Sequence, residues 1–185
     1  MNVLAISGSL RAASHNTALL RAAAELAPGG VEVVPYTGLE LLPPYNEDHD
    51  TDEPPFEVAR LRNAIASADS VLFATPEFNG TMPGQLKHAL DWASRPYGKA
   101  SSLWGKPAAV IGASVTDYGA VWAQDHLRKG LGIAGARVLD RELPVAKANE
   151  RFDEDGVLID LELRDAVAEI VGELVDHSQQ LVKAA

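Results

Sequence analysis

No cysteine occurs among the 185 residues, which rules out disulfides, thiolate metal sites, iron–sulfur clusters and cysteine nucleophiles. Redox chemistry in this chain therefore has to come from a bound cofactor. No apolar stretch approaches the roughly 20 residues that cross a bilayer. The run Val3-Leu4-Ala5-Ile6 is too short for a signal-peptide core and has no basic leader, so a cytoplasmic protein without membrane attachment is expected. Positive charge is scarce: 16 Lys and Arg against 26 Asp and Glu leave a formal net charge of −10. That balance opposes approach to the phosphates of nucleic acid. No Gly-x-Ser-x-Gly elbow supports a hydrolase triad around Ser114. His88, His126 and His177 lie in predicted helices with no second histidine four residues away, which gives zinc chemistry no support.

What is present is a chain with 46% hydrophobic content, enough for one sizeable core, and residues 1–185 are read as a single domain. Short β-branched apolar runs alternate with longer segments of helical period. Strands are expected at Asn2–Ser7, Val31–Pro35, Ser70–Thr75, Ala108–Ala113 and Arg137–Leu143. Helices are expected from Asn16 to Leu26, Phe56 to Ala68, Pro83 to Ser94, Ala120 to Ile133 and Leu161 to Val182. Tyr36–Pro55, rich in Pro, Asp, Glu and Asn, reads as one long surface loop. Five strands with intervening helices suit an α/β doubly wound parallel sheet in the flavodoxin-like order 2-1-3-4-5. In such sheets ligands collect beyond the carboxyl ends of the strands, where chain order reverses and neighbouring loops diverge.

Two loops there carry chemistry. Ser7 to Thr17 follows the first strand and opens a helix. Gly8 permits a close turn, while Ser9, Ser14, Thr17, Asn16 and the free N–H groups of the helix start supply donors for a phosphate. Arg11 adds a forked positive charge. Capping alone accounts for one polar residue, not for this set. The loop lacks both the Gly-x-Gly-x-x-Gly fingerprint and the terminal Gly-Lys-Ser/Thr of a nucleoside triphosphatase. His15 reads as an exposed loop residue. After the third strand, Thr75 to Lys87 contains two prolines and two glycines that shape the backbone sharply. This loop suits the edge of a planar heterocycle such as an isoalloxazine, or it is an ordinary strand-to-helix turn with Phe78 packed inward. Its occurrence together with a phosphate loop, after alternate strands, favours the first reading.

Gly8-Ser9-Leu10-Arg11 with Ser14 and Asn16, Leu42-Pro43-Pro44-Tyr45-Asn46, Thr75-Pro76-Glu77-Phe78-Asn79, and Pro83-Gly84-Gln85-Leu86-Lys87 with Ala89-Leu90-Asp91-Trp92 resemble the NADPH-dependent FMN reductase family. The likeness runs from about Asn2 to Leu143. It implies a cytoplasmic oxidoreductase in which FMN carries electrons from NADPH or NADH to a small-molecule acceptor such as a quinone, an azo compound, chromate or free flavin. It also implies a flavin phosphate held by Ser9, Leu10, Arg11, Ser14, Asn16 and Thr17. The ring would lie against Pro76, Glu77, Phe78, Asn79 and Gly80, with Ser114 as a further contact. No acid, base or metal ligand is required of the protein, because the flavin carries the chemistry. Phe78 stands where the family usually has Tyr, which removes a hydroxyl but keeps a stacking face. Trp122 stands where many members have an Arg.

The competing reading is a flavodoxin-type electron carrier, whose phosphate loop ordinarily lacks an Arg in this place. Asp48, His49, Asp50, Asp52 and Glu53 form an acidic cluster that reads as a solvated loop, since a single imidazole and irregular spacing do not define a metal site. Trp92, Trp104 and Trp122 are open to two readings, as an acceptor-pocket lining or as core and subunit packing. A homodimer or homotetramer is expected, with Leu86, Leu90 and Trp92 of the third helix as contacts.

Overall fold

Alternation along the first strand, β1 (Asn2–Ser7), decides the architecture: Val3 and Ala5 enter one apolar layer and Leu4 and Ile6 the other, all of them buried. A strand buried on both faces must carry helices on both faces. The computed structural model describes residues 1–184. The chain runs α1 (His15–Glu25), β2 (Glu32–Pro35), α2 (Phe56–Ser67), β3 (Ser70–Thr75), α3 (Gly84–Ala93), β4 (Pro107–Ala113), α4 (Val121–Ile133), β5 (Arg137–Val138), β6 (Pro144–Val145) and α5 (Leu161–Ala184). All strand pairings are parallel, in the order β2-β1-β3-β4-β5, and β6 also pairs with β4. The order matches the expected one. The fifth strand does not run unbroken from Arg137 to Leu143; two short pieces share the edge position, and residues 139–143 leave the ladder between them.

One layer packs α1 and α5 through Leu19, Ala23, Ile170 and Leu174 against Ala5, Leu72 and Ile111. The opposite layer packs α2, α3 and α4 through Leu61, Ile65, Leu86, Trp92, Leu127 and Leu131 against Ile6, Phe73 and Val110. Leu86, Leu90 and Trp92 are buried within this second layer. They are therefore unavailable as subunit contacts, because a helix on a doubly wound sheet turns its apolar stripe inward.

Tyr36–Pro55 is less free than its composition suggests. Leu39 and Leu42 are buried, Gln85 Nε2 donates to both of their carbonyls at 2.6 and 2.9 Å, and Trp92 Nε1 donates to the Pro43 carbonyl at 2.9 Å. The Tyr45 N–H donates to His88 Nδ1 at 3.1 Å, and Arg62 binds the Asp50 carboxylate of the acidic stretch at 2.7 Å. The loop is thus tied to α3 by polar side chains that helical periodicity marks as merely outward-facing. A Gly-x-Gly-x-x-Gly string does occur elsewhere, at Gly130–Gly135, but it closes α4 instead of joining a strand to a helix. An added Cβ at Gly130 would lie 2.6 Å from Leu90, so that glycine serves helix packing. No helix among the described residues is long and apolar enough to cross a membrane.

Candidate functional site

Because the chain leaves β1 toward β2 on one side and toward β3 on the other, the sheet reverses between β1 and β3. The loops after β1, β3 and β4 all leave the same edge, as the pairings Ser7 with Ala74 and Thr75 with Gly112 require. Gly8 lies against the β3 loop: its N–H donates to the Ala74 carbonyl at 2.8 Å, and an added Cβ would sit 2.7 Å from Leu86 and 3.3 Å from Pro76. Close approach is the reason for glycine here.

The three loops enclose a crevice of about 340 Å³ lined by Ser9, Arg11, Ser14, His15 and Asn16, by Pro76, Glu77 and Phe78, and by Ala113 to Thr116. That volume suits a small-ligand cleft, typically about 300–1,000 Å³. At its α1 end, Ser14 is the N-cap, and its Oγ accepts from the Thr17 N–H at 3.3 Å. The backbone N–H groups of His15 and Asn16 make no hydrogen bond among the described residues. Ser9 Oγ accepts from the Arg11 N–H at 3.4 Å, so the hydroxyl protons of Ser9 and Ser14 remain free to donate. With the helix dipole and the Arg11 guanidinium, this donor set fits a phosphate.

Not every residue expected to touch a ligand does so through its side chain. Asn16, only 3% exposed, is spent as a latch: its Nδ2 donates to the Ala113 carbonyl and its Oδ1 accepts the Ala113 N–H, both at 2.9 Å. It ties the start of α1 to the end of β4. The Glu77 carboxylate accepts the Ala123 N–H at 3.1 Å and so caps α4, a favourable place for an anion. What Glu77 leaves for a ligand is backbone.

Leu10 and Thr17 face a different hollow, between β1, α1 and the loop after β2. Thr17 shares a 2.9 Å hydroxyl bond with Ser7. Asn79 lines a hollow shared with Lys87, His126 and Ile133, and Gly80 lines neither space. Asn79 and Gly80 instead form a tight turn, with φ of 52° and 71°, closed by reciprocal Phe78–Thr81 backbone bonds of 3.0 and 3.2 Å. Two central residues at positive φ make the type I′ geometry for which Asn-Gly is the strongest local signal. The turn leaves Phe78 57% exposed at the crevice, so the alternative of an inward-packed Phe78 does not hold.

Sequence reasoning missed four contributors. His15 is the first residue of α1 and lines the crevice instead of standing free. Val115 and Thr116 extend the β4 loop into it. Gln124, fully buried, donates to the Gly119 carbonyl at 3.0 Å and accepts the Leu143 N–H at 3.1 Å, which holds that loop from behind. A lone glutamine on the apolar stripe of α4 was the available signal. Of the tryptophans, Trp92 is core, Trp104 packs against Gly135, and Trp122 is 46% exposed with its ring 4.8 Å from Tyr118.

The fold is a flavodoxin-like doubly wound sheet, and its crevice offers hydrogen-bond donors at the α1 end and stiff backbone with the exposed Phe78 at the other. A sequence profile of NADPH-dependent FMN reductases matches residues 1–150. The chain is 43% identical over 170 residues to an NAD(P)H-dependent FMN reductase of Pseudomonas aeruginosa, covering 90% of this chain and 89% of the other. It is 40% identical over 167 residues to a 2-hydroxy-1,4-benzoquinone reductase of a Burkholderia species, covering 89% and 88%. The solved structure of the flavoenzyme NAD(P)H:(acceptor) oxidoreductase FerB of Paracoccus denitrificans superposes with a TM-score of 0.85 at 37% identity, over 97% of both chains. The chain belongs to the NADPH-dependent FMN reductase family. It is accordingly an FMN-dependent oxidoreductase that draws on a reduced nicotinamide, not a flavodoxin-type carrier.

Proposed function

We propose that residues 1–185 form one FMN-binding unit that moves two electrons from NADPH or NADH to a quinone in the cytoplasm. The observation that carries this reading is the convergence of the loops after β1, β3 and β4 on one crevice, with hydrogen-bond donors at one end and the exposed Phe78 ring at the other. When bound there, FMN supplies the redox chemistry: a hydride leaves the nicotinamide, and with a proton from solvent the quinone becomes a hydroquinone. The protein supplies position. Arg11, the hydroxyls of Ser9 and Ser14 and the first N–H groups of α1 hold the phosphate. The backbone of Pro76 to Phe78 and Ser114 lies along the ring. Asn16, Glu77 and Gln124 keep the three loops in register, since misplacement by about 1 Å is costly to catalysis. Phe78, Tyr118 and Trp122 offer flat faces to an aromatic acceptor. The relatives named for quinones favour that acceptor over a metal oxyanion.

The test is direct. The purified protein, supplied with FMN, shows a bound-flavin absorbance spectrum and oxidises NADPH or NADH on addition of a benzoquinone, without any partner protein. No bound flavin and no turnover after FMN is supplied would overturn the reading.

We also propose self-association as a homodimer or homotetramer. Its support is the exposed apolar set Phe78, Trp122 and Ile133 on the β3 loop and α4, which replaces the buried α3 contacts. Light scattering at micromolar concentration is expected to give the mass of two or four chains; a mass of 19.7 kDa contradicts it.

A further inference from the structure

We propose that His15 is a second cationic anchor for the FMN phosphate, beside Arg11, and that it takes up a proton as the nucleotide binds. The inference rests on the FMN-binding reading above and goes beyond it by assigning a proton to the binding step.

The geometry is specific to this residue. His15 is the first residue of α1, immediately after the Ser14 cap, and its own N–H makes no hydrogen bond among the described residues. The residue lines the crevice, which it shares with Arg11. Its ring lies against Phe152, with centroids 5.3 Å apart and planes 32° from parallel, and Phe152 is buried. The imidazole is thus backed by an apolar wall. It makes no hydrogen bond among the described residues, although neighbouring side chains in the loop do.

The charged groups around His15 leave it without a local anion. On its own loop stands Arg11, whose guanidinium donates to the Ala13 carbonyl at 3.2 Å. On α1 the next charge is Arg21. In the segment that carries Phe152, Arg151 pairs with Asp160 at 2.7 Å, and Asp153 accepts the N–H groups of Asp155 and Val157. From the β3 loop, the Glu77 carboxylate is turned to α4. From the β4 loop, Asp117 faces Lys147 at 3.5 Å. Burial first, and the Arg11 charge second, hold His15 below the ordinary imidazole value, so it is neutral near pH 7 in the free protein.

A phosphate dianion placed between Arg11 and His15 reverses both effects: it neutralises the arginine field and offers the imidazolium an acceptor. The sign follows. A group whose bound-state value exceeds its free value contributes affinity that is complete below the free value and lost as pH rises through the bound one. FMN affinity should therefore fall as pH rises above the free-protein value, which lies below the ordinary imidazole value, by up to about tenfold per pH unit until the bound-state value is reached. The second ionisation of a phosphate monoester, near about pH 6, works in the opposite direction and is common to wild type and His15→Gln, so the comparison of the two isolates the imidazole.

The experiment follows the His15 imidazole by NMR titration of apoprotein, FMN-loaded protein and protein loaded with riboflavin, which lacks the phosphate. FMN affinity is measured by flavin fluorescence across the same pH range for wild type and His15→Gln. The titration midpoint is expected to move up with FMN but not with riboflavin, and the pH dependence of the FMN Kd is expected to flatten in His15→Gln. An unmoved midpoint with FMN bound, or a pH dependence retained in His15→Gln, overturns the assignment of His15 alone. Failure of wild type to bind FMN at all overturns the parent reading as well.

Discussion

Replacing Arg11 by alanine is expected to weaken FMN binding at least roughly tenfold, with little change in fold stability. The guanidinium is exposed, and its one hydrogen bond is to the Ala13 carbonyl two residues on; no core packing goes with it. What is lost is a charge-assisted, forked contact in a crevice whose other phosphate donors are neutral hydroxyls and backbone N–H groups, apart from His15. Arg11→Lys should recover only part of the loss, since a point charge does not reproduce the fork. Riboflavin affinity should be unaffected, because it carries no phosphate. Fluorescence titration with both flavins checks the prediction, and an FMN Kd equal to wild type would move the phosphate away from this loop. Affinity should also fall with added salt in wild type and less steeply in the alanine variant.

Trp92→Ala is expected to destabilise the fold by about 3–5 kcal/mol. Its side chain is fully buried in the layer formed by α2, α3 and α4, and its ring meets Tyr45 edge-on at 4.8 Å. Truncation opens a cavity and also strands the Pro43 carbonyl, which now accepts from Nε1 at 2.9 Å. Trp92→Phe keeps most of the volume and loses only the donor, so it should fall between wild type and alanine. Denaturant unfolding measures both. A loss below about 1 kcal/mol for the alanine variant would mean that the long loop and α3 collapse readily into the space. At a temperature where the variant stays folded, FMN affinity should match wild type, because Trp92 faces the core and not the crevice.

The strand order was legible because β1, β3 and β4 are continuous apolar runs and the connections between them are helix-length, which leaves few parallel arrangements. That the loop after β1 gathers hydroxyls, free N–H groups and Arg11 at a helix start was legible because those residues lie within about ten positions of one another, and local sequence carries local geometry. Asn16 shows where that stops: an amide near a helix start looks like a ligand donor, yet its partner, Ala113, is 97 residues away. Glu77 and Gln124 are similar cases, each satisfying backbone on another element. The Asn79-Gly80 turn, by contrast, carries its signal in the dipeptide itself, although the resemblance had set both residues against the ring.

Periodicity and turn chemistry are short-range properties, so the amino-acid order was enough to place the four strands β1 to β4 and the helices on both faces, and to mark the loop after β1 as a candidate anion cradle; the broken edge formed by β5 and β6 was not legible. Which way each polar side chain spends its hydrogen bonds is a property of the assembled sheet. Only there did Leu10 and Thr17 turn to one hollow, Asn79 to another, and His15 into the crevice, because a buried donor or acceptor must be satisfied by whatever the neighbouring loop presents.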